Sequence, residues 1–158
     1  MLPIAIVSVL AALLVAASSG DEWAPSAAGA AHAAERQGGD GAGGVNLKLM
    51  RSPFGRVVFA DSFAQYLFTK DGRRSRCYGD CAEAWPPLLA DGRVVAGKGI
   101  KKSLLGAKKR RDGSKQVTYD GSPLYGYEHD PRGEVLCHDV REFGGRWYAV
   151  LKSGERAP

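Results

Sequence analysis

The chain has 158 residues, with 22 Lys and Arg, 17 Asp and Glu, three Cys and 21 Gly. That length favours one domain. No segment reaches about 18 unbroken apolar residues, so an internal transmembrane helix is excluded. A hydrophobic content of 44% excludes global disorder, and three Cys are too few for a disulfide-dense miniature scaffold.

The N-terminus reads as a targeting segment. Leu2 to Ala17 is LPIAIVSVLAALLVAA, uncharged, with one Ser. As a helix it would reach roughly 24 Å, short of a hydrocarbon core of roughly 30 Å. Small residues follow at Ala17, Ser18, Ser19 and Gly20, as in a signal peptide, although no basic residue precedes the apolar run. Residues 1–20 are therefore read as a signal-like segment and residues 21–44 as an Ala/Gly-rich tether with little to bury. No Cys follows the apolar run, which argues against a lipid-modified Cys. The expected location is periplasmic or extracellular, with membrane association if the segment is retained.

Residues 45–158 hold 21 basic and 13 acidic residues. Their first expected strand is Asn46–Met50, where Leu47 and Leu49 alternate. Arg56–Ala60 is expected to pair with Gln65–Thr69 across Asp61–Ala64. Tyr66 and Phe68 then share one face. Cys81–Trp85 suits one helical turn, stopped by Pro86-Pro87. Lys101–Leu105 suits another, ended by Gly106. Gln116–Tyr119 and Pro123–Glu128 should form a hairpin across Asp120-Gly121, a strong two-residue turn signal. Tyr125 and Tyr127 again share a face. Arg146–Leu151 reads as the last strand. The fold class is mainly β, one small domain with short helical turns.

Two segments align at an offset of 59 residues. Arg51–Asp71 and Arg110–Asp130 share Arg51/Arg110, Val58/Val117, Asp61/Asp120, Tyr66/Tyr125 and Asp71/Asp130. Phe68 and Tyr127 add an aromatic match. Cys77 and Cys137 follow, then Trp85 and Trp147. These are read as two repeated β-hairpin units, about 46–91 and 108–152.

The motifs Tyr66-Leu-Phe-Thr-Lys-Asp71 and Tyr125-Gly-Tyr-Glu-His-Asp130 resemble those of the bacterial secreted-repeat family, predicted lipoproteins with a Tyr-x-(Phe/Trp/Tyr)-x-x-Asp motif. Cys77-Tyr-Gly-Asp-Cys81-Ala-Glu-Ala-Trp85-Pro-Pro, Arg111 to Tyr119 and Phe143-Gly-Gly-Arg-Trp147 are similar to further blocks of that family. The resemblance spans roughly residues 46–155. It implies an exported envelope protein, often lipid-anchored, of unknown activity.

Candidate sites follow from these patterns. A Cys77–Cys81 ring would contribute roughly 2 kcal/mol and a Cys77–Cys137 bridge roughly 4 kcal/mol by loop-closure entropy. The residues alone leave both open, and one thiol remains either way. The resemblance keeps Cys77 with Cys81, leaving Cys137 as a buried thiol beside Val135 and Leu136. The alternative is a redox or metal-binding protein using Cys77, Cys81, Cys137 and His138 as a soft-metal set, although export disfavours reduced thiols. His129 reads as an exposed hairpin residue. Asp71 and Asp130 are expected to accept N–H groups of their own turns, and the Tyr-x-aromatic pairs to be core contacts. No Gly-x-Ser-x-Gly, phosphate-loop or His-Glu-x-x-His motif occurs, so no catalytic residue and no cofactor is assigned.

Nine basic residues lie between Arg93 and Lys115 against the single acid Asp112. The plain reading is a solvated linker between the repeats. The sharper one is a polyanion patch of Lys101, Lys102, Lys108, Lys109, Arg110 and Arg111, facing anionic lipid or an envelope polymer. Nucleic acid is not expected of an exported protein. The functional expectation is an exported envelope protein acting as a non-enzymatic structural or binding module.

Overall fold

The computed structural model describes residues 44–158. The signal-like segment lies outside the described residues, as does the tether except for Gly44, which opens the first strand. Gly44 is there for a packing reason. A Cβ at this position would lie 2.6 Å from the Arg93 carbonyl oxygen of the neighbouring strand.

The fold is mainly β. Strands β1 (Gly44–Ser52), β2 (Gly55–Ala60) and β3 (Phe63–Ala64) are followed by β4 (Tyr66–Phe68), the short helix α1 (Asp80–Ala84) and β5 (Arg93–Ala96). One 3-10 turn (Lys102–Leu104) precedes β6 (Leu105–Lys109), β7 (Lys115–Tyr119), β8 (Ser122–Pro123), β9 (Val140–Glu142) and β10 (Gly145–Ala149). They form three small sheets, in the orders β3-β2-β1-β5, β4-β10-β9 and β6-β7-β8. Only the β1–β5 pairing is parallel among these ladders.

The run Val57-Val58-Phe59-Ala60 is apolar at every position because β2 is covered on both faces. Val57 and Phe59 enter an aromatic core with Tyr66, Trp85, Tyr125 and Trp147. Val58 and Ala60 enter an aliphatic core with Leu47, Leu88, Val117 and Leu124. Strand β10 divides its side chains in the same way, with Trp147 and Ala149 in the first core and Val150, just beyond it, in the second.

Two expectations need correction. Gln65–Thr69 does not complete the first hairpin. That turn is the two-residue Asp61-Ser62, β2 pairs with the short β3, and Tyr66–Phe68 leaves to pair with β10. The second hairpin does likewise: β7 pairs with β8 only through Ser122 and Pro123, and Tyr125 bridges to Tyr66 and Pro87. The strands are shorter than the alternation predicts. The alternation runs on through Gln65 and Leu124, while the chain changes sheets. The basic linker is also structured. Leu105–Lys109 forms β6, antiparallel to β7, with Leu105 opposite Tyr119.

Equivalent backbone bonds recur at the sequence offset. The Gln65 N–H donates to the Val58 carbonyl at 2.9 Å, and the Leu124 N–H to the Val117 carbonyl at 3.0 Å. The Val58 N–H donates to Val150 and the Val117 N–H to Leu88, both at 2.8 Å. Both hairpin turns have two residues of positive φ, 47° and 78° at Asp61-Ser62 and 49° and 74° at Asp120-Gly121. This is the turn whose twist suits antiparallel strands.

Candidate anion-binding cleft

The two Tyr-x-aromatic motifs meet at the centre of the molecule. Tyr66 and Tyr125 form an antiparallel bridge, each N–H donating to the other's carbonyl at 2.8 and 3.2 Å. From there the side chains cross over. The Tyr66 hydroxyl donates to Asp130 Oδ2, and the Tyr125 hydroxyl donates to Asp71 Oδ2 at 2.5 Å. Each motif's tyrosine thus holds the other motif's aspartate. Burial pushes both hydroxyls far above the ordinary tyrosine range, and the adjacent carboxylates add to it. Burial also raises the Asp71 carboxyl, opposed by the bond from Tyr125, the Arg76 N–H and the nearby Arg110.

The other carboxylate oxygens brace the following loops. Asp71 Oδ1 accepts the Arg76 N–H at 2.8 Å, and Asp130 Oδ1 accepts the Leu136 N–H at 3.1 Å. Both acids therefore stabilise loops downstream of the motif, and each also takes a tyrosine that the sequence pattern did not reveal. Trp85 and Trp147 stack between these clasps, 4.0 Å apart and 4° from parallel. Each meets one motif tyrosine edge-on, at 5.2 Å for Tyr66–Trp85 and for Tyr125–Trp147. Phe68 is buried against Trp147, whereas Tyr127 is only half-buried against Trp85.

Cys77 and Cys81 form a disulfide, with Cα atoms 5.2 Å apart. Cys137 is a free thiol, but half-buried rather than buried, and its neighbour Leu136 is 54% exposed. Burial raises the Cys137 thiol above its ordinary range, while its bond with Tyr127 opposes this. The soft-metal set is not assembled. Two of its sulfurs are joined to each other, and His138 is stacked on Phe54 at 4.2 Å. The His138 Nε2 lies 2.9 Å from the Pro158 carbonyl oxygen, and its Nδ1 accepts the Ala149 N–H at 3.3 Å. Among the described residues, no group of three His, Cys, Asp or Glu is placed to hold a metal ion.

The disulfide ring borders a strongly basic cleft. A depression of about 790 Å³ lies between the loop after β4 and the β6–β7 hairpin. Arg73 and Arg74 enter from the loop, and Lys108, Lys109, Arg110 and Arg111 from the hairpin, with no acidic side chain in the lining. Tyr78, inside the ring, projects into the same space. The Arg111 guanidinium lies 4.2 Å from its ring centroid and that of Arg110 lies 4.4 Å away.

These six bases do different things. Arg110 is only 6% exposed, so it is a bracket rather than part of an open patch. Its guanidinium donates to Gln116 Oε1 at 2.6 Å, Ser75 Oγ at 2.8 Å, the Cys77 carbonyl at 2.9 Å and Asp112 Oδ2 at 3.1 Å. It ties the ring to the hairpin. The Asp112 carboxyl is held below the ordinary range by Ser114 and then by Arg110. Arg73, Arg74, Lys108, Lys109 and Arg111 are exposed, although the Lys108 ammonium donates to the Arg73 carbonyl at 3.1 Å and the Arg111 guanidinium lies over Tyr78. Lys101 and Lys102 are exposed but do not line the cleft.

No sequence pattern marks Arg73, Arg74, Ser75 and Tyr78 as partners of the basic run. They lie 30 to 35 residues before Lys108 of the hairpin, and only the fold brings them opposite it. The Arg73-Arg74 pair after Asp71-Gly72 was the available signal.

The β6-to-β10 arrangement, with its turn, tyrosine, aspartate and tryptophan, corresponds to one known sequence family. Residues 106–151 match a secreted repeat of unknown function. This is the family that the motifs resemble. The secreted-repeat match begins inside β6 and ends at Leu151, so it takes in Tyr125, Asp130 and Trp147. No curated protein and no solved structure matches the chain.

Proposed function

We propose that the protein is an exported, non-enzymatic binding module of the cell envelope, whose cleft receives an anionic envelope polymer. The observation that carries this reading is the convergence of five exposed cationic side chains around a concave space lined by no acid. A concave site suits a chain of anionic groups threaded between loop and hairpin better than a flat lipid surface. The secreted-repeat match supports export. The buried carboxylates support a structural rather than a catalytic use, since both oxygens of Asp71 and of Asp130 accept hydrogen bonds from the protein.

Long-chain polyphosphate serves as the polymer probe and phosphatidylglycerol vesicles as the lipid probe. The polymer should bind more tightly, and binding should weaken steeply with added salt. Arg73→Glu/Arg74→Glu should abolish it, and Lys101→Glu/Lys102→Glu should leave most of it. Equal losses in both double variants would reject the cleft in favour of diffuse charge. Preferential binding to vesicles would reject the polymer.

A further inference from the structure

The two halves of the molecule differ at one strand edge. In β1, Leu47 and Leu49 direct their backbone groups away from β2. The Leu47 carbonyl accepts the Gly97 N–H at 2.7 Å, and the Leu49 N–H donates to the Lys98 carbonyl at 3.0 Å. These bonds continue the parallel β1–β5 ladder, which pairs Gly44 with Arg93 through Leu47 with Ala96. The outer edge of β1 is therefore covered by an extended segment.

Strand β6 occupies the corresponding place beside β7. Leu105 faces Tyr119 as Leu47 faces Ala60. The Asp120 N–H donates to the Leu104 carbonyl and the Arg110 N–H to the Ser114 carbonyl. These two bonds fix the alternation of the antiparallel ladder. Gly106 and Lys108 exchange bonds with β7, whereas Leu105, Ala107 and Lys109 turn their N–H and C=O groups outward. The Leu105 N–H donates to the Lys102 carbonyl and closes the 3-10 turn. Among the described residues, the Leu105 carbonyl and the N–H and C=O groups of Ala107 and Lys109 have no backbone partner, and β6 is the last strand of its sheet. Gly106, Ala107, Lys108 and Lys109 are exposed.

We infer that the outer edge of β6 accepts an extended acidic peptide as an added parallel strand, in the place that β5 takes on β1. Main-chain bonds to alternate residues would supply the affinity, as in other strand-addition sites. The acidic character follows from charge. Residues 101–111 contain Lys101, Lys102, Lys108, Lys109, Arg110 and Arg111 and no Asp or Glu. The small side chains of Gly106 and Ala107 leave the edge accessible. The site is separate from the cleft reading, because it is defined by backbone groups and not by Arg73 and Arg74.

The test uses a synthetic peptide of alternating Asp and Val or Thr, the same peptide N-methylated at alternate residues, and polyphosphate. Titration followed by amide NMR should move the Ala107 and Lys109 signals and slow their hydrogen exchange. The N-methylated peptide should bind at least about tenfold more weakly, the equivalent of one or two net hydrogen bonds. Ala107→Pro removes an outward N–H while keeping every β6–β7 bond, and should weaken the peptide by a similar factor. Lys108→Glu/Lys109→Glu, a gentler change at exposed positions, should also weaken it. Arg73→Glu/Arg74→Glu should not, even where it abolishes polyphosphate binding. Equal binding of the N-methylated peptide, no binding of the acidic peptide, or self-association through β6 in place of peptide binding would each overturn the inference.

Discussion

The two Tyr–Asp clasps use the same chemistry in unlike surroundings. The Asp71 clasp is cross-braced: the Tyr125 hydroxyl also lies 2.7 Å from Ser75 Oγ, Ser75 accepts from Arg110, and Arg110 holds the Cys77 carbonyl of the disulfide ring. The Asp130 clasp abuts the half-buried Cys137 and Tyr127, and its loop has no disulfide. The same contrast holds at the strand edges, with β1 covered by β5 and the outer edge of β6 unpaired at Ala107 and Lys109. A matched core can thus carry one half whose strand edge is covered and one whose strand edge is largely unpaired. The asymmetry lies in loops and at strand edges, outside the packed centre.

The largest effect should come from the centre that both halves share. Trp85→Ala and Trp147→Ala should each cost about 3–5 kcal/mol, as for buried aromatic truncations. Urea unfolding followed by circular dichroism would measure this. Their losses should not add, because each ring stacks on the other. A purely additive double variant would mean that the stack contributes nothing beyond burial.

Removing one hydroxyl separates the clasps. Tyr66→Phe should cost about 3 kcal/mol, since it takes a charge-assisted bond from an aspartate that is 2% exposed. Tyr125→Phe should cost less, about 1–2 kcal/mol, because Arg110 and the Arg76 N–H still favour charged Asp71. Equal costs in urea would show that the surrounding brace does not matter.

The disulfide distinguishes the loops. Cys77→Ser/Cys81→Ser should cost roughly 2 kcal/mol, the entropy of a five-residue ring, and should also weaken polyphosphate binding by loosening Tyr78. Cys137→Ser should change either by little. Thiol counting should find one thiol in the native protein, partly reactive before unfolding and fully reactive after it. A mild double variant together with a severe Cys137→Ser would reverse the assignment of the two loops.

The smallest effect concerns pH. Folded Asp71 binds its proton more tightly than the unfolded chain does, whose carboxyl keeps the ordinary value of 3.8. The native state therefore holds more protons in the window just above 3.8, and this residue's contribution to stability falls as pH rises through it. Asp71→Asn should flatten that slope in urea midpoints measured between pH 3.5 and about 6. An unchanged slope would assign the dependence to other carboxylates.

Much of the pattern was local and therefore legible before folding. Alternation in Asn46–Met50 and Arg146–Leu151, the Asp120-Gly121 turn and the Pro86-Pro87 stop after α1 depend on neighbours a few residues apart, whereas the residues alone left the partner of Cys77 open between Cys81 and Cys137. The offset of 59 also exposed both Tyr-x-aromatic motifs. What the tertiary structure decided was partnership across distance. Tyr66 binding Asp130 while Tyr125 binds Asp71, and Arg110 turning inward while Lys108 and Arg111 stay exposed, depend on chain crossings that no local spacing encodes. The same holds for Arg73 and Arg74 meeting the basic hairpin. A side chain's type limits the bonds it can form, but its burial and its partner are set by where remote strands bring the next surface.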